Sequence, residues 1–224
     1  MKLSNETVSV LKNFSTINQN LVIKGGNKIA TMSAMKNIVA KAEVLEEFPQ
    51  EFAIYDLNEF LSAISLFSKP ELEFENDFVM ITEEGTSTSL KYWYSDPSVV
   101  TTPTKDITMP ECEVKFNLSS DTLSTVTKAA AVIGAPDMAL ESGSLKVTDK
   151  KNATANNYAL DLDVNSESDN YKFWFKVENL KLIQGSYDVQ VSSKNISHFK
   201  NSTGNVEYFI ALEPESAYND VKNG

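Results

Sequence analysis

The chain predicts an α+β fold in which one pattern is used four times: a strand, a capped amphipathic helix, then further strands. Three observations carry this. Helix-like stretches begin at intervals of roughly 50–60 residues. The segments between them alternate polar and apolar residues with the period of half-buried strands. Midway, DPSVVTTPTKDITMPE (96–111) holds three prolines, several threonines and little periodicity, as a connection between domains does. The expected division is a first domain over 1–96, a connecting loop over 97–111 and a second domain over 112–224, each domain with two helices and its antiparallel strands. An ordinary α+β protein also interleaves short helices with strands, so the pattern alone leaves a chance repetition open.

Ser4 is a cap for the first helix, which runs to about Asn18 with Val8, Leu11, Phe14 and Ile17 on one side. LVIKGGNKIATM follows as a strand pair, its turn marked by Gly25 and Gly26. In AIYDLNEFLSAISLF (53–67) a strand ends at Tyr55 and Asp56 caps a second helix. Leu57, Phe60, Leu61, Ile64 and Phe67 form its apolar stripe, and Glu59 stands where a capping box places its far half. ELEFEND, FVMITEE and STSLKYWYS are the strands that close the first half. VKFNL opens the second half, and Ser119 or Ser120 caps a third helix with Leu123, Val126, Ala130 and Ile133 facing in. DMALESG, SLKVTDK, NYALDLDV and YKFWFKV then read as strands. A short fourth helix is predicted over about Glu178–Ile183, ended near Gly185 and followed by SYDVQVSS, ISHFKNS and EYFIALEP.

At 42% hydrophobic, 224 residues can build a real core. The formal charge of −11 would normally argue against nucleic acid, because phosphate binding needs positive surface. All 20 basic residues are lysine, so the bidentate arginine contact to guanine is absent, which argues against sequence-specific DNA reading. The single cysteine, Cys112, forms no intramolecular disulfide and favours a reducing compartment. MKLSNETVSVLKNF lacks the apolar core of a signal peptide, and no run approaches a membrane span.

The charge is unevenly placed. Opposite its apolar stripe the first helix carries Asn5, Ser9, Lys12 and Thr16, and the third carries Thr125 and Lys128, with Asp121 at its start. These faces are neutral to basic in an acidic chain. Carboxylates gather elsewhere: Glu43, Glu46, Glu47 and Glu51 before the second helix, then Glu71, Glu73, Glu75, Asp77, Glu83 and Glu84 after it, which reads as a solvated exterior. Charges more than about 10 Å apart are largely screened at ordinary salt, so a local face can act against the net charge. A plain solvated face explains the same residues, and both readings stand at this point.

The N-terminal MKLS…LKNFSTIN, the central FAIYDLNEFLSAISLF, the DPSVV of the junction and the terminal YFIALEPES together resemble the sliding clamps of T-even-type phages, which are similar to the proliferating cell nuclear antigen clamp of eukaryotes. The motifs run from residue 1 to about 216. The resemblance implies two similar clamp domains per chain and a homotrimer closing head to tail into a ring, with continuous sheets as its rim. It implies no enzyme and no cofactor. The implied function is to encircle duplex DNA without reading sequence and to tether the replicative DNA polymerase, with a clamp-loader ATPase opening the ring, in the host-cell cytoplasm. Carried over residue by residue, it places Lys12, Lys128 and Lys181 toward DNA, with Asn5, Ser9 and Thr16 on the same helix face as Lys12. The second helix departs from this, offering Glu59, Ser62 and Ser65 and no lysine. Thr86–Ser95, with Tyr92 and Trp93, and about Asn157–Val164, with Tyr158, Leu160 and Leu162, correspond to the strands that join subunits, although a strand tryptophan is also ordinary core. Val99, Val100 and Ile107 correspond to the rim of a pocket for partner peptides.

Two other classes compete. An enzyme would have to work with one histidine, His198, far in sequence from Cys112, which is not zinc-ligand spacing, and KGGNK lacks the spacing of a phosphate loop. Acidic pairs are plentiful, but nothing singles one out. An acidic, β-rich virion or structural protein assembling through strand edges without DNA shares the same composition.

Overall fold

The Ser4 hydroxyl accepts a hydrogen bond from the Thr7 N–H and so opens α1 (Asn5–Ile17), which buries Thr7, Val10, Leu11, Phe14 and Ile17. In this computed structural model residues 1–219 are described, and contacts divide the chain into two units, Met1–Asp106 and Ile107–Gly224. In the first unit α1 is followed by β1 (Leu21–Ile23), β2 (Gly26–Met32), β3 (Ile38–Phe48) and β4 (Phe52–Ile54). Then come α2 (Leu57–Ser65), β5 (Pro70–Phe74), β6 (Phe78–Glu83) and β7 (Ser89–Trp93). The strands pair antiparallel in the orders β4-β1-β2-β3 and β5-β6-β7. Leu11, Phe14, Ile23, Ile29, Leu57 and Phe60, each at most 1% exposed, form the core between helices and sheet. Gly26 has φ +99°, which a side chain would strain, so the glycine of the predicted turn is required there.

β3 is the largest departure from the sequence reading, which took this region only as solvated carboxylates. Lys28 pairs with Glu43 and Gly26 with Phe48, so β3 spends five residues where β2 spends two. The bulge exposes Leu45 and turns Glu46 back toward α1. There the Glu46 carboxylate accepts hydrogen bonds from the Ser4 N–H and the Thr7 hydroxyl. Desolvation of this partly covered group opposes its ionisation, but the bonds from Thr7 and Ser4 outweigh it and hold the carboxyl below its ordinary value. After β7, Asp96 caps a single 3-10 turn (Pro97–Val99), and Val100 is buried with Val22 and Ala53.

The second unit holds β8 (Val114–Leu118), α3 (Ser120–Ile133), β9 (Asp137–Glu141), β10 (Ser144–Thr148), β11 (Tyr158–Asp161), β12 (Val164–Ser166) and β13 (Tyr171–Lys176). β14 (Tyr187–Ser192), β15 (Ile196–Asn201), β16 (Val206–Ala211) and β17 (Ala217–Tyr218) complete it. The sheet orders are β12-β8-β14-β15-β16 and β11-β10-β9-β13-β17, all antiparallel. Ser119, not Ser120, caps α3, accepting from the Thr122 N–H, and Gly134 ends the helix in the left-handed conformation.

The predicted fourth helix does not form. Only a 3-10 turn, Val177–Asn179, stands there. Six residues give too few internal hydrogen bonds to hold a helix unaided. The backbone finds other partners: the Ile183 N–H donates to the Tyr208 hydroxyl at 3.2 Å and the Ile183 carbonyl accepts from Tyr187 at 2.5 Å. Gln184 donates to the Ser120 carbonyl at 2.8 Å. The second unit therefore has one α-helix among its described residues where two were expected.

Candidate nucleic-acid face and assembly edges

Each α-helix hides one side against its sheet and shows the other to solvent. On α1 the exposed side carries Asn5, Ser9, Lys12 and Thr16, as its periodicity predicts. On α3 it carries Asp121, Thr125 and Lys128, opposite the buried Leu123, Val126 and Ala130. On α2 Asn58, Glu59, Ser62 and Ser65 are exposed while Leu57, Phe60, Leu61, Ala63 and Ile64 are buried. Two of the three faces thus present one lysine each, among small polar groups on α1 and together with Asp121 on α3. Lys181, lacking its helix, is half-buried in the segment after the 3-10 turn, and sequence reasoning misplaced it.

The second helix is built as its cap predicts. The Asp56 carboxylate accepts from the Asn58 and Glu59 N–H groups at 2.9 and 3.1 Å and from the Gln19 amide at 2.8 Å. The Glu59 backbone bond, then Gln19, holds the Asp56 carboxyl below its ordinary value. Glu59 itself lies 3.5 Å from the Tyr92 hydroxyl, which also donates to the Asp56 carbonyl at 3.2 Å. The Tyr92 ring meets Phe60 at 5.1 Å. Burial, with the charges of Glu59 and Asp56 added, pushes the Tyr92 hydroxyl up to about 12. α2 and β7 are therefore fastened together by an aromatic contact and a polar one.

β7 and β11 are each the last strand of a sheet. β7 pairs with β6 and β11 with β10, and each leaves its other edge without a partner among the described residues. Trp93, which could equally have been core, is 62% exposed and packs its edge on Phe78 at 5.3 Å. Tyr158 is 37% exposed, and Leu160 and Leu162 are half-buried. Uncovered edges of this kind are templates for another strand. Of the expected pocket residues, Val99 is 59% exposed, Val100 is buried against its own unit, and Ile107 opens the second unit.

Other titratable groups have structural partners. Asp137, 1% exposed, accepts from Lys176 at 2.5 Å, while Lys150 meets Glu213 and Glu215 at 3.2 and 3.1 Å. The Asp137 bond raises the Lys176 ammonium above its ordinary value. His198 lies 2.8 Å from Glu207 and stacks on Phe209. Among the described residues no cluster of three or more His, Cys, Asp or Glu could hold a metal, and no helix is long and apolar enough to cross a membrane.

Known proteins share this chain's sequence pattern and its fold. The family model described as DNA polymerase processivity factor matches residues 4–102, and the model described as gp45 sliding clamp, C terminal, matches residues 112–214. The sliding clamp of Vibrio phage KVP40 is 35% identical over 222 residues, covering 95% of this chain and 99% of its own length. The sliding clamp of Enterobacteria phage T4 is 28% identical over 229 residues, covering 97% and 99%. Among solved structures, PCNA from Thermococcus kodakaraensis superposes with a TM-score of 0.68 at 17% identity, covering 93% of this chain and 96% of that one. The Helicobacter pylori beta clamp gives 0.66 at 16% identity, covering 99% of this chain and 66% of that one. At such identities these two establish the fold alone.

Proposed function

The chain belongs to the sliding-clamp family of T4-type phages, the DNA polymerase processivity factors, and from that premise we propose that three copies close head to tail into a ring around duplex DNA and hold the replicative polymerase on it. The observation that carries the ring is that β7 in the first unit and β11 in the second, two of the strands that end sheets, present the exposed Trp93 and Tyr158. A head-to-tail contact between two different edges of one chain generates a closed ring when its rotation closes. Loading falls to a separate ATP-driven clamp loader, and the ring works in the cytoplasm of the host cell.

Lys12 and Lys128, with Asn5, Ser9 and Thr16, face the duplex. A tether that must slide needs few phosphate contacts, because each one fixes position, and it needs no base contacts at all. The absence of arginine and the single lysine on each of two helix faces suit that task. Lys181 drops out of this set because it has no helix to present it. Residues 97–111 serve as the connecting loop, and exposed Val99 offers an apolar contact for a partner peptide. Family membership decides against the acidic structural protein.

Light scattering across a concentration series tests the assembly. A species near three times the 24.8 kDa chain is expected. A stable dimer contradicts the proposal, since four such domains enclose too small a hole for a duplex.

A further inference from the structure

The outer edges of β7 and β11 carry a matched alternation. On β7, Leu90 and Tyr92 stand opposite Ile81 and Val79, both fully buried, and so share the face that α2 covers. Ser89, Lys91 and Trp93 take the other face, where the Lys91 ammonium lies 4.2 Å from the Phe78 ring centre and 5.3 Å from that of Trp93. On β11, Tyr158 and Leu160 stand opposite Val147 and Leu145, 0% and 2% exposed, on the face against which α3 packs. Ala159 and Asp161 take the other face. A one-residue slip would turn one strand's apolar set outward, so pairing that keeps both helix sides together must set Leu90 and Tyr92 against the Tyr158, Leu160 and Leu162 series.

Resting on the ring reading above, we propose that the two edges pair antiparallel between copies with Lys91 opposite Asp161, and that this charge pair sets the register and makes ring closure sensitive to salt. The same register puts Tyr92 opposite Leu160, Leu90 opposite Leu162, and the large Trp93 opposite the small Ala159. Lys91 and Asp161 are exposed and in no salt bridge among the described residues. On β10 the uncharged Ser144 stands opposite Asp161, so no cation directly across that side competes with Lys91 for the carboxylate. Opposite charges directly across a strand pair stabilise it, like charges destabilise it, and an exposed pair weakens as salt screens it.

The test is the trimer–monomer midpoint by light scattering for the full chain, for Lys91→Asp, for Asp161→Lys and for the double swap, with thermal melts to confirm folding. Each single reversal is expected to raise the midpoint concentration about tenfold at low salt, and the double swap to recover most of that loss. The wild-type midpoint is expected to rise between about 0.05 and about 0.5 M salt, and the Lys91→Ala midpoint to rise less. Folded single variants that assemble as the wild type does, or a double swap no better than the worse single, overturn the pairing while the wild-type trimer keeps the ring. A wild-type chain that stays monomeric overturns the ring reading and the pairing with it.

Discussion

Glu46 shows how one residue can tie distant parts of the first unit. Its carboxylate holds the Ser4 N–H and the Thr7 hydroxyl, two groups at the start of α1, from a bulged strand about forty positions later. Glu46→Ala leaves both groups without that acceptor and is expected to cost about 1–2 kcal/mol, read as a fall in denaturation midpoint. The pH dependence has a definite sign. The Glu46 and Asp56 carboxyls lie below their ordinary values in the fold, so the stability they contribute is complete above those values. It is lost as the pH falls through the folded-state values. Melting temperature should therefore drop on acidification below about pH 4, and less steeply in Glu46→Ala. An equal slope in the variant would remove Glu46 from this role. The caps Ser4 and Asp56 were legible in sequence, and Ser119 as one of two adjacent candidates, because a cap depends on residues within three positions of itself. Glu46 was not, because its partners are set by the bulge and not by its neighbours.

At the level of elements, strong amphipathic patterns were legible and weak ones were not. α1, α2 and α3 each have a full apolar stripe and a polar cap, and all three form. The stretch 178–183 has neither the length nor a cap, and tertiary hydrogen bonds from Tyr187, Tyr208 and Gln184 claim the segment. β3 alternates cleanly from Ala40 to Leu45, then breaks where three extra residues bulge out, and so its carboxylates masked a strand. The exposed side of α1 was correctly read from its period, but Lys181 was assigned through a helix that is absent. Elements of the second unit are also held by charge. Asp137 at the start of β9 accepts from Lys176 at the end of β13 and from the Lys150 N–H at 3.0 Å. Asp137→Ala removes the acceptor of the Lys176 ammonium and of the Lys150 N–H and leaves Lys176 only Glu213, at 3.8 Å, so it is expected to cost about 2 kcal/mol, measurable by chemical denaturation. A loss under about 1 kcal/mol would show the pair to be solvated.

Over the whole molecule the formal charge is −11, whereas the exposed helix sides stand nearer to neutral: Lys12 on α1 and Lys128 on α3 are set against Glu6 and Asp121, and α2 adds Glu59. Lys12→Ala with Lys128→Ala should leave the fold and the trimer intact, reduce polymerase processivity about threefold at moderate salt, and make what remains less salt-dependent. Unchanged stimulation of the polymerase at physiological salt would remove these lysines from the DNA face. Encirclement is a topological property, and gel filtration of the loaded protein with its DNA reads it out. With clamp loader and ATP present, the protein is expected to stay on nicked circular DNA at high salt and to run off once the circle is cut to a linear form. Equal retention on both forms would mean contact binding in place of encirclement, and would contradict the ring.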